Sequence, residues 1–546
     1  MGGRLRWALL GLLALSCKMP NPGFFDAEDS TDATTRAASG ETLATSEPTS
    51  DATTESATTG TTAPLTSDPS TTEPATSDPT TVDTDCVDRS CETETGPDVC
   101  DGPGCSASPL WSRAYAAESI VISGVDVDGA GNVVFGGGYT GSINFGGDTF
   151  VNDGNIDRIF LVSLSPDGAH RWSHSYGEGE FQRLFDLAVA PSGRIYVTGG
   201  FNETINFGEP NPDIFDPSDQ ADAFVAAFDE QATLQWAHVI FGPSNQYGKA
   251  IALDGETVTV CGTYEGALGL PGIHTPTPNA NVFAVRYLAA SGVFVVARSW
   301  GGVEDDQDVS DLVTLPGGDM ALAGRFAGSI YFTPNPVVST GSGADMSDVY
   351  VARLDGDLKG VWSETIQPEQ GDALALQLGA FGDEIYIAGA SDSSVVVAGE
   401  TMIPFELPQT PAQLLLKLDG AGAVVWSRVG GGGVALGLGV DPNDGSLVSA
   451  GQARAVIDFG GGPLQVGGDT DIDIVRLHAD GAHDWSALYG SKDNQSGQFE
   501  WGARVAVDVQ GQAYALGQFI DEVDFGVGLH VTQPGARGLF IVKFAH

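Results

Sequence analysis

Four short segments decide the fold: Leu184–Ala190 (LFDLAVA), Arg194–Gly200 (RIYVTGG), Ala223–Asp229 (AFVAAFD) and Leu234–Ile240 (LQWAHVI). Apolar and small residues alternate or run together in each, and Gly, Asp, Pro or Asn turns bound them. This is the signature of β-strands covered on both faces. The fourth segment carries Trp236, one of a series at Trp111, Trp172, Trp236, Trp300, Trp362, Trp426 and Trp485. The intervals are 61, 64, 64, 62, 64 and 59 residues, so the chain is built from seven copies of one unit.

The other units echo the same strands. The second recurs as NVVFGGG (132), TVTVCG (257), DMALAG (319), EIYIAG (384), SLVSAG (446) and QAYALG (512). The third recurs as IFLVSL (159), VFAVRYL (282), VYVARL (349), LLLKL (414), IDIVRL (472) and LFIVKF (539). Before most tryptophans stands an Asp-Gly turn, as in SPDGAHRW and HADGAHDW, which joins antiparallel strands tightly and needs no binding role. Between the second and third strands INFGG (143), INFG (205), IDFGGG (457) and VDFGVG (523) form a weaker echo, from which three units depart. That segment reads as local decoration.

Four short antiparallel strands per repeat make a β-propeller blade, and no 3.6-residue periodicity is sustained over a helix length. The expected fold is an all-β, seven-bladed β-propeller over residues 109–546. Its count of strands has one consequence. The body opens on a tryptophan strand, PLWSRAY at 109–115, and ends on a third-type strand with nothing after it. The N-terminal strand is therefore expected to complete the last blade and close the ring, removing an edge that would template aggregation.

Ahead of the body, residues 1–16 combine Arg4 and Arg6 with an apolar run from Trp7 to Leu15, a basic and short hydrophobic pattern that describes an export signal. Ala14-Leu15-Ser16-Cys17 resembles the lipobox of bacterial lipoproteins, with Ala14 where that motif usually has leucine. The resemblance implies lipidation of Cys17; the alternative is ordinary signal-peptidase cleavage. Residues 17–85 form a Ser-, Thr- and Asp-rich stretch, and from Asp26 to Asp85 it has almost no large apolar residue. It lacks the apolar surface to offset ordering entropy and is expected to be a disordered tether. Cys86, Cys91, Cys100 and Cys105 follow with the spacing C-x4-C-x8-C-x4-C. In an exported chain an even cluster reads as a disulfide collar over 86–105, with three connectivities open; a zinc knuckle is the rival. Cys261, alone in TVTVCG, reads as a buried thiol.

Lys and Arg number 24 against 72 Asp and Glu, a net charge of −48. Such a field repels nucleic-acid phosphates and excludes a nucleic-acid role. The long loops joining units, and those between second and third strands, emerge on one face, and such loops are where binding sites sit. That face is acidic: Glu304, Asp305, Asp306 and Asp308 in one loop, Asp213, Asp216, Asp219 and Asp222 around another. Solubility is the plain alternative. Trp501 lies outside the tryptophan series and is a candidate to touch a partner or to join the core.

Calcium is the one cofactor the spacing suggests. Asp126, Asp128 and Asn132, and Asp441, Asn443 and Asp444, gather oxygens within a few residues, without the closing Glu of an EF-hand. They also sit at strand turns, where Asp and Asn serve geometry alone. Enzyme motifs are sparse. The eight histidines form no H-E-x-x-H, no G-x-S-x-G elbow is present, and Gly242 to Lys249 is one residue too long for a phosphate loop. Acids drawn from several blades would escape such a search.

Taken as a whole, the strand, glycine and tryptophan pattern over nearly all of 109–546 resembles bacterial seven-bladed β-propeller repeat lipoproteins. The Asp-Gly turn before tryptophan looks like a shortened docking motif of quinoprotein propellers. The first resemblance implies the fold and a surface location but no reaction. The body is expected to be monomeric, anchored in the cell envelope at the outer membrane, and to serve as a noncatalytic binding or scaffolding module for an envelope protein or glycan. The alternative is a propeller enzyme, a glycoside hydrolase or lyase or a quinone-dependent dehydrogenase, acting at the long-loop face.

Overall fold

The strand segments do what their burial demands. Asp222–Phe228, Ala412–Leu418 and Asp471–Leu477 are buried at every position, so each needs a neighbour on both faces of its sheet. The tryptophan strands Leu234–Ile240 and His170–Tyr176 are half-exposed along most of their length and lie at the edges of their sheets. The computed structural model describes residues 107–546 apart from 153, 155–156, 178–180, 209–213, 216–219, 274–276, 302–305, 340–347, 399, 403–410, 468, 491–500 and 534–535. The expected signal, tether and collar, with Cys17, Cys86, Cys91, Cys100 and Cys105, lie outside the described residues.

The strands form an all-β propeller of antiparallel sheets. The first sheet runs Ser119–Val127, Val133–Asn144, Arg158–Leu164, His170–Tyr176; the second Phe181–Val189, Ile195–Asn202, Asp222–Phe228, Leu234–Ile240; the third Gln246–Leu253, Thr257–Gly266, Thr277–Leu288, Phe294–Trp300. The fourth runs Asp311–Thr314, Met320–Phe326, Asp348–Leu354, Gly360–Pro368, and the hairpin Val395–Val397 and Glu400–Met402 extends it. The fifth has seven strands, from Ala373–Phe381 to His483–Tyr489, because Val424–Val440 continues from one strand of the repeat into the next. The sixth runs Trp501–Val507, Ala513–Ile520, Arg537–Phe544, and its fourth strand is Pro109–Ala117, paired antiparallel with Arg537–Phe544 from Pro109 opposite Phe544 to Ala117 opposite Arg537.

Successive sheets pack through their first strands: Ser119–Val127 on Phe181–Val189, that on Gln246–Leu253, and so onward, with Ser119–Val127 also against Trp501–Val507. Apolar clusters fill the spaces between sheets. One joins Leu161 and Val134 to Leu184, Phe201 and Phe224; another joins Tyr514, Leu516 and Ile541 to Phe135 and Phe160. Cys261 is a free, buried thiol within such a cluster. Most first strands carry a bulge near their middle, for example between Leu184 and Asp186 and between Gly502 and Arg504. A bulge re-aims the side chain that follows it, and here it sets the residues of the axis.

Candidate functional site

The recurrent tryptophan is a joint. Trp111, Trp172, Trp236, Trp362 and Trp426 each donate their indole Nε1–H to a turn carbonyl of the following unit: Pro166, Glu230, Ala289, Gly420 and Ala479, at 2.9 to 3.1 Å. In four of these turns a glycine, Gly168, Gly292, Gly422 or Gly481, is the seat of the ring; the Trp172 turn has Ala232 in that place, with φ +61°. A Cβ on Gly168 would lie 2.8 Å from Trp111 Cδ2, and one on Gly481 2.8 Å from Trp426 Cδ2; both glycines also hold a left-handed φ, +76° and +78°. The Asp-Gly turn thus serves the neighbouring unit as well as its own hairpin. Trp300 and Trp485 instead pack against Phe332 and Phe544, with ring centroids 5.2 and 5.5 Å apart.

A second joint reinforces the first. Third strands of five units carry an inward cation, Arg286, Arg353, Lys417, Arg476 and Lys543, buried in every case but Arg353, which is partly exposed. Each donates to a turn carbonyl of the next unit, namely Gly356, Gly420, Ala479, Gly511 and Pro166. Each is also ion-paired with an acid near its own first-to-second turn: Asp254, Asp319, Glu384, Asp441 and Asp508, at 3.9, 3.0, 2.6, 3.1 and 3.4 Å. Burial makes each charge dependent on its partner. The sequence showed these cations inside apolar runs such as VARL and IVRL, and that mismatch was the available signal.

These joints account for much of the oxygen clustering that suggested calcium. Asp128 Oδ1 accepts from the amides of Ala130 and Asn132, and Oδ2 from Asn132 Nδ2 at 2.7 Å. Asp441 Oδ1 accepts from Asn443, while Oδ2 lies 3.1 Å from both Arg476 Nη2 and His546 Nε2. Asp444 Oδ1 caps Ser446. Ligand atoms of Asp441, Asp444 and His546 come within 4.8 Å of one another, but a guanidinium on the same carboxylate opposes a second cation there. His546 was not foreseen, being far from the motif in sequence.

At the acidic loop face, Glu304 and Asp305 lie outside the described residues, as do Asp213, Asp216 and Asp219. Asp306 is exposed and accepts from the Ala280 amide at 3.1 Å. Asp308 faces Lys249 across the joint between third and fourth sheets, Oδ1 to Nζ 3.8 Å, and its carbonyl accepts from Tyr350 Oη. Asp222 is buried and accepts from the Gly242 amide. Trp501 opens its strand opposite Gln518, and its side chain lies outside the described residues. An open groove of about 590 Å³ lies among Ala107, Pro109, Tyr489, Phe525 and Val527.

The axis carries a group that the motif search missed. Equivalent first-strand positions hold Gly124, Asp186, Ala250, Asp311, Gln377, Gly437 and Arg504, each just after a bulge except Asp311, which opens its strand. Asp186, Asp311 and Arg504, from three different sheets, interact electrostatically, and Gln377 Nε2 donates to Asp311 Oδ2 at 3.2 Å. Gly124 makes room: a Cβ there would lie 3.1 Å from Asp186 Oδ1. The carboxylates also staple neighbouring first strands. Asp186 accepts from the Leu187 and Ile251 amides, Asp311 from Leu312 and Leu378, and Asp126, two residues below the Gly124 position, from Val127 and Val189. Arg504 Nε donates to the Ser123 carbonyl at 2.8 Å.

Burial pushes the Asp311 carboxyl up to about 6 against the pull of the Leu378 and Leu312 amides and Arg504. Burial, then the charge of Asp311, raises Asp186 well above the carboxylate range. Asp126 is likewise raised to about 6 by burial, against its two backbone amides. Burial also lowers the Arg504 guanidinium. Such a layer can hold a proton near neutrality and presents both signs of charge along the axis. Aligning the units on tryptophan would have exposed it, as a column of unlike residues inside otherwise apolar strands.

No protein-family profile matches the chain, and no curated protein matches it. Among solved structures it is similar to the WD40 repeats of RRP9, with 9% identity over 81% of this chain and 99% of that one at a TM-score of 0.42. It is similar also to U3-55K, with 8% identity, 80% and 99% coverage and a TM-score of 0.43, and to Kuenenia stuttgartiensis hydrazine synthase, with 11% identity, 76% and 96% coverage and a TM-score of 0.38. The propeller assignment rests on the sheets themselves.

Proposed function

We propose that this chain is an exported lipoprotein, anchored through Cys17 in the bacterial outer membrane, that presents a closed seven-bladed propeller as a noncatalytic binding or scaffolding module. Counting Val424–Val440 as a strand shared by two blades turns the seven-stranded fifth sheet into two units and the total into seven. The pairing of Pro109–Ala117 with Arg537–Phe544, and the bonds from Arg504 and Gln518 Nε2 to the Ser123 and Ile120 carbonyls, support closure between last and first blades. The observation that carries the functional reading is the division of labour: repeated residues are engaged at joints between units, which leaves the unlike loops as the surface where a partner is recognised. The body is read as a monomer whose partner is an envelope protein or glycan, with no nucleic acid involved.

The test is a pull-down with the body against envelope proteins and glycans, with and without calcium. Specific retention that is lost when Asp306 is replaced by Ala supports the reading; retention of nothing above a scrambled-bead control overturns it. One observation favours an enzyme instead: Asp186, Asp311 and Arg504 converge on the axis. In that reading Asp311→Asn abolishes turnover of a polysaccharide substrate while the protein remains folded.

A further inference from the structure

In the fifth sheet two repeat units run together through one strand, Val424–Val440. Its Gly431 and Gly433 take φ of +119° and +147°, values that L side chains rarely adopt, so the strand makes an elbow. A side-chain contact spans the two parts: Gln413 Nε2, on the third strand before the elbow, donates to Asp473 Oδ1, on the third strand after it, at 2.8 Å. Both residues have no exposed surface. Their remaining atoms, Gln413 Oε1 and Asp473 Oδ2, are buried without a hydrogen-bond partner among the described residues. With Asp473 ionised both atoms are acceptors and neither can satisfy the other. One proton resolves this, because a carboxylic acid and a carboxamide can each donate and accept once in a closed pair.

We propose that Asp473 is held as the neutral acid, donating from Oδ2 to Gln413 Oε1 while Oδ1 accepts from Gln413 Nε2, and that this acid–amide pair is a proton-dependent clasp across the elbow. Gly433 of the elbow and Gly451 of the neighbouring strand leave room for it: a Cβ on Gly451 would lie 2.9 Å from Asp473 Oδ1, and one on Gly433 2.8 Å from Gln413 Nε2. Charged groups on the strands around the clasp are engaged elsewhere. Lys417 bonds the Ala479 carbonyl, Arg428 the Gly481 carbonyl, Arg454 the Gln452 amide oxygen, Asp471 accepts from Gly467, and Asp484 pairs with Arg476. Burial accordingly raises the Asp473 carboxyl to about 7, with the Gln413 hydrogen bond opposing and no charged neighbour taking part.

The folded carboxyl binds its proton more tightly than the unfolded one. The clasp's stabilisation is therefore complete below the unfolded carboxylate range, and it is lost as pH rises through about 7. The test compares thermal melting of the full chain and of Asp473→Asn from about pH 5 to about pH 8. An Asn amide keeps one donor and one acceptor at every pH, so the variant should melt above wild type at the alkaline end and the gap should close on acidification. A gap that does not change with pH, or a variant less stable than wild type at the alkaline end, would overturn the clasp. Infrared difference spectroscopy of the wild type and of Gln413→Leu gives a second readout should the Asn variant fail to fold. The protonated-carboxyl C=O band of wild type should fade as pH rises through about 7, and the same band should move to higher frequency in Gln413→Leu. A band unmoved by loss of the amide sinks the proposal.

Discussion

Two sets of charged residues are buried in this propeller, for different reasons. The third-strand cations, Arg286, Arg353, Lys417, Arg476 and Lys543, occupy one position in five units and meet the same pair of partners each time, an acid beside the turn of their own unit and a carbonyl of the next. The axial column holds Gly124, Asp186, Ala250, Asp311, Gln377, Gly437 and Arg504, also at one position, and its chemistry changes from unit to unit. A position that repeats its chemistry answers a demand that every unit has, which is to hold its neighbour. A position that does not repeat answers something particular to its own place. The first set builds the frame; the second sets the electrostatics of the axis.

The joints should break hardest. Arg476→Leu leaves Asp441 buried with only His546 facing the same oxygen, and unpairing a buried charge costs about 3–5 kcal/mol. Trp426→Ala empties the seat on Gly481 and the bond to Ala479, a loss of about 3–5 kcal/mol by the usual cost of truncating a buried aromatic. Denaturant unfolding reads both, and a change within about 0.5 kcal/mol, the range of ordinary surface substitutions, would remove these contacts from the account. Gly168→Ala should cost less, about 1–2 kcal/mol for the left-handed φ alone, with added strain against Trp111.

The axial set should show itself through pH. Asp126 and Asp311 are raised to about 6 when folded, so their share of stability is fully present below the unfolded carboxylate range and is lost as pH rises through about 6. Melting temperature should therefore rise on acidification from about pH 8 to about pH 5, and Asp126→Asn should flatten part of that slope. A melting point that falls over this range would contradict the burial of these carboxyls. The smallest effects belong to the surface. Asp306→Ala should leave stability within about 0.5 kcal/mol, and a chelator should leave the melting curve in place, since Asp128 and Asp441 already have partners within the protein. A drop on chelation would restore calcium to the Asp441, Asp444 and His546 group.

Much of the fold was legible because strand, turn and tryptophan recur at a period too regular to ignore. The number of turns between strands followed from glycine and aspartate, whose backbone preferences are local. What escaped is what depends on juxtaposition. The indole's partner lies more than fifty residues away, so the Asp-Gly turn looked like a hairpin device and not also like a seat. Asp186, Asp311 and Arg504 meet because they stand at equivalent first-strand positions of three different sheets, Asp186 and Arg504 just after a bulge and Asp311 at the start of its strand, and no spacing rule links them. The suggested calcium ligands are the opposite case: oxygens close in sequence that also serve their own turns and a neighbouring arginine.

Closure of the ring through the pairing of Pro109–Ala117 with Arg537–Phe544 is the proposal on which the rest depends. The most direct measurement is hydrogen–deuterium exchange across Arg537–Phe544 in the intact protein and in a variant lacking Pro109–Ala117. Closure predicts that the amides facing the missing strand lose their protection while the melting temperature falls sharply. Unchanged exchange in that strand, with unchanged melting, would contradict it.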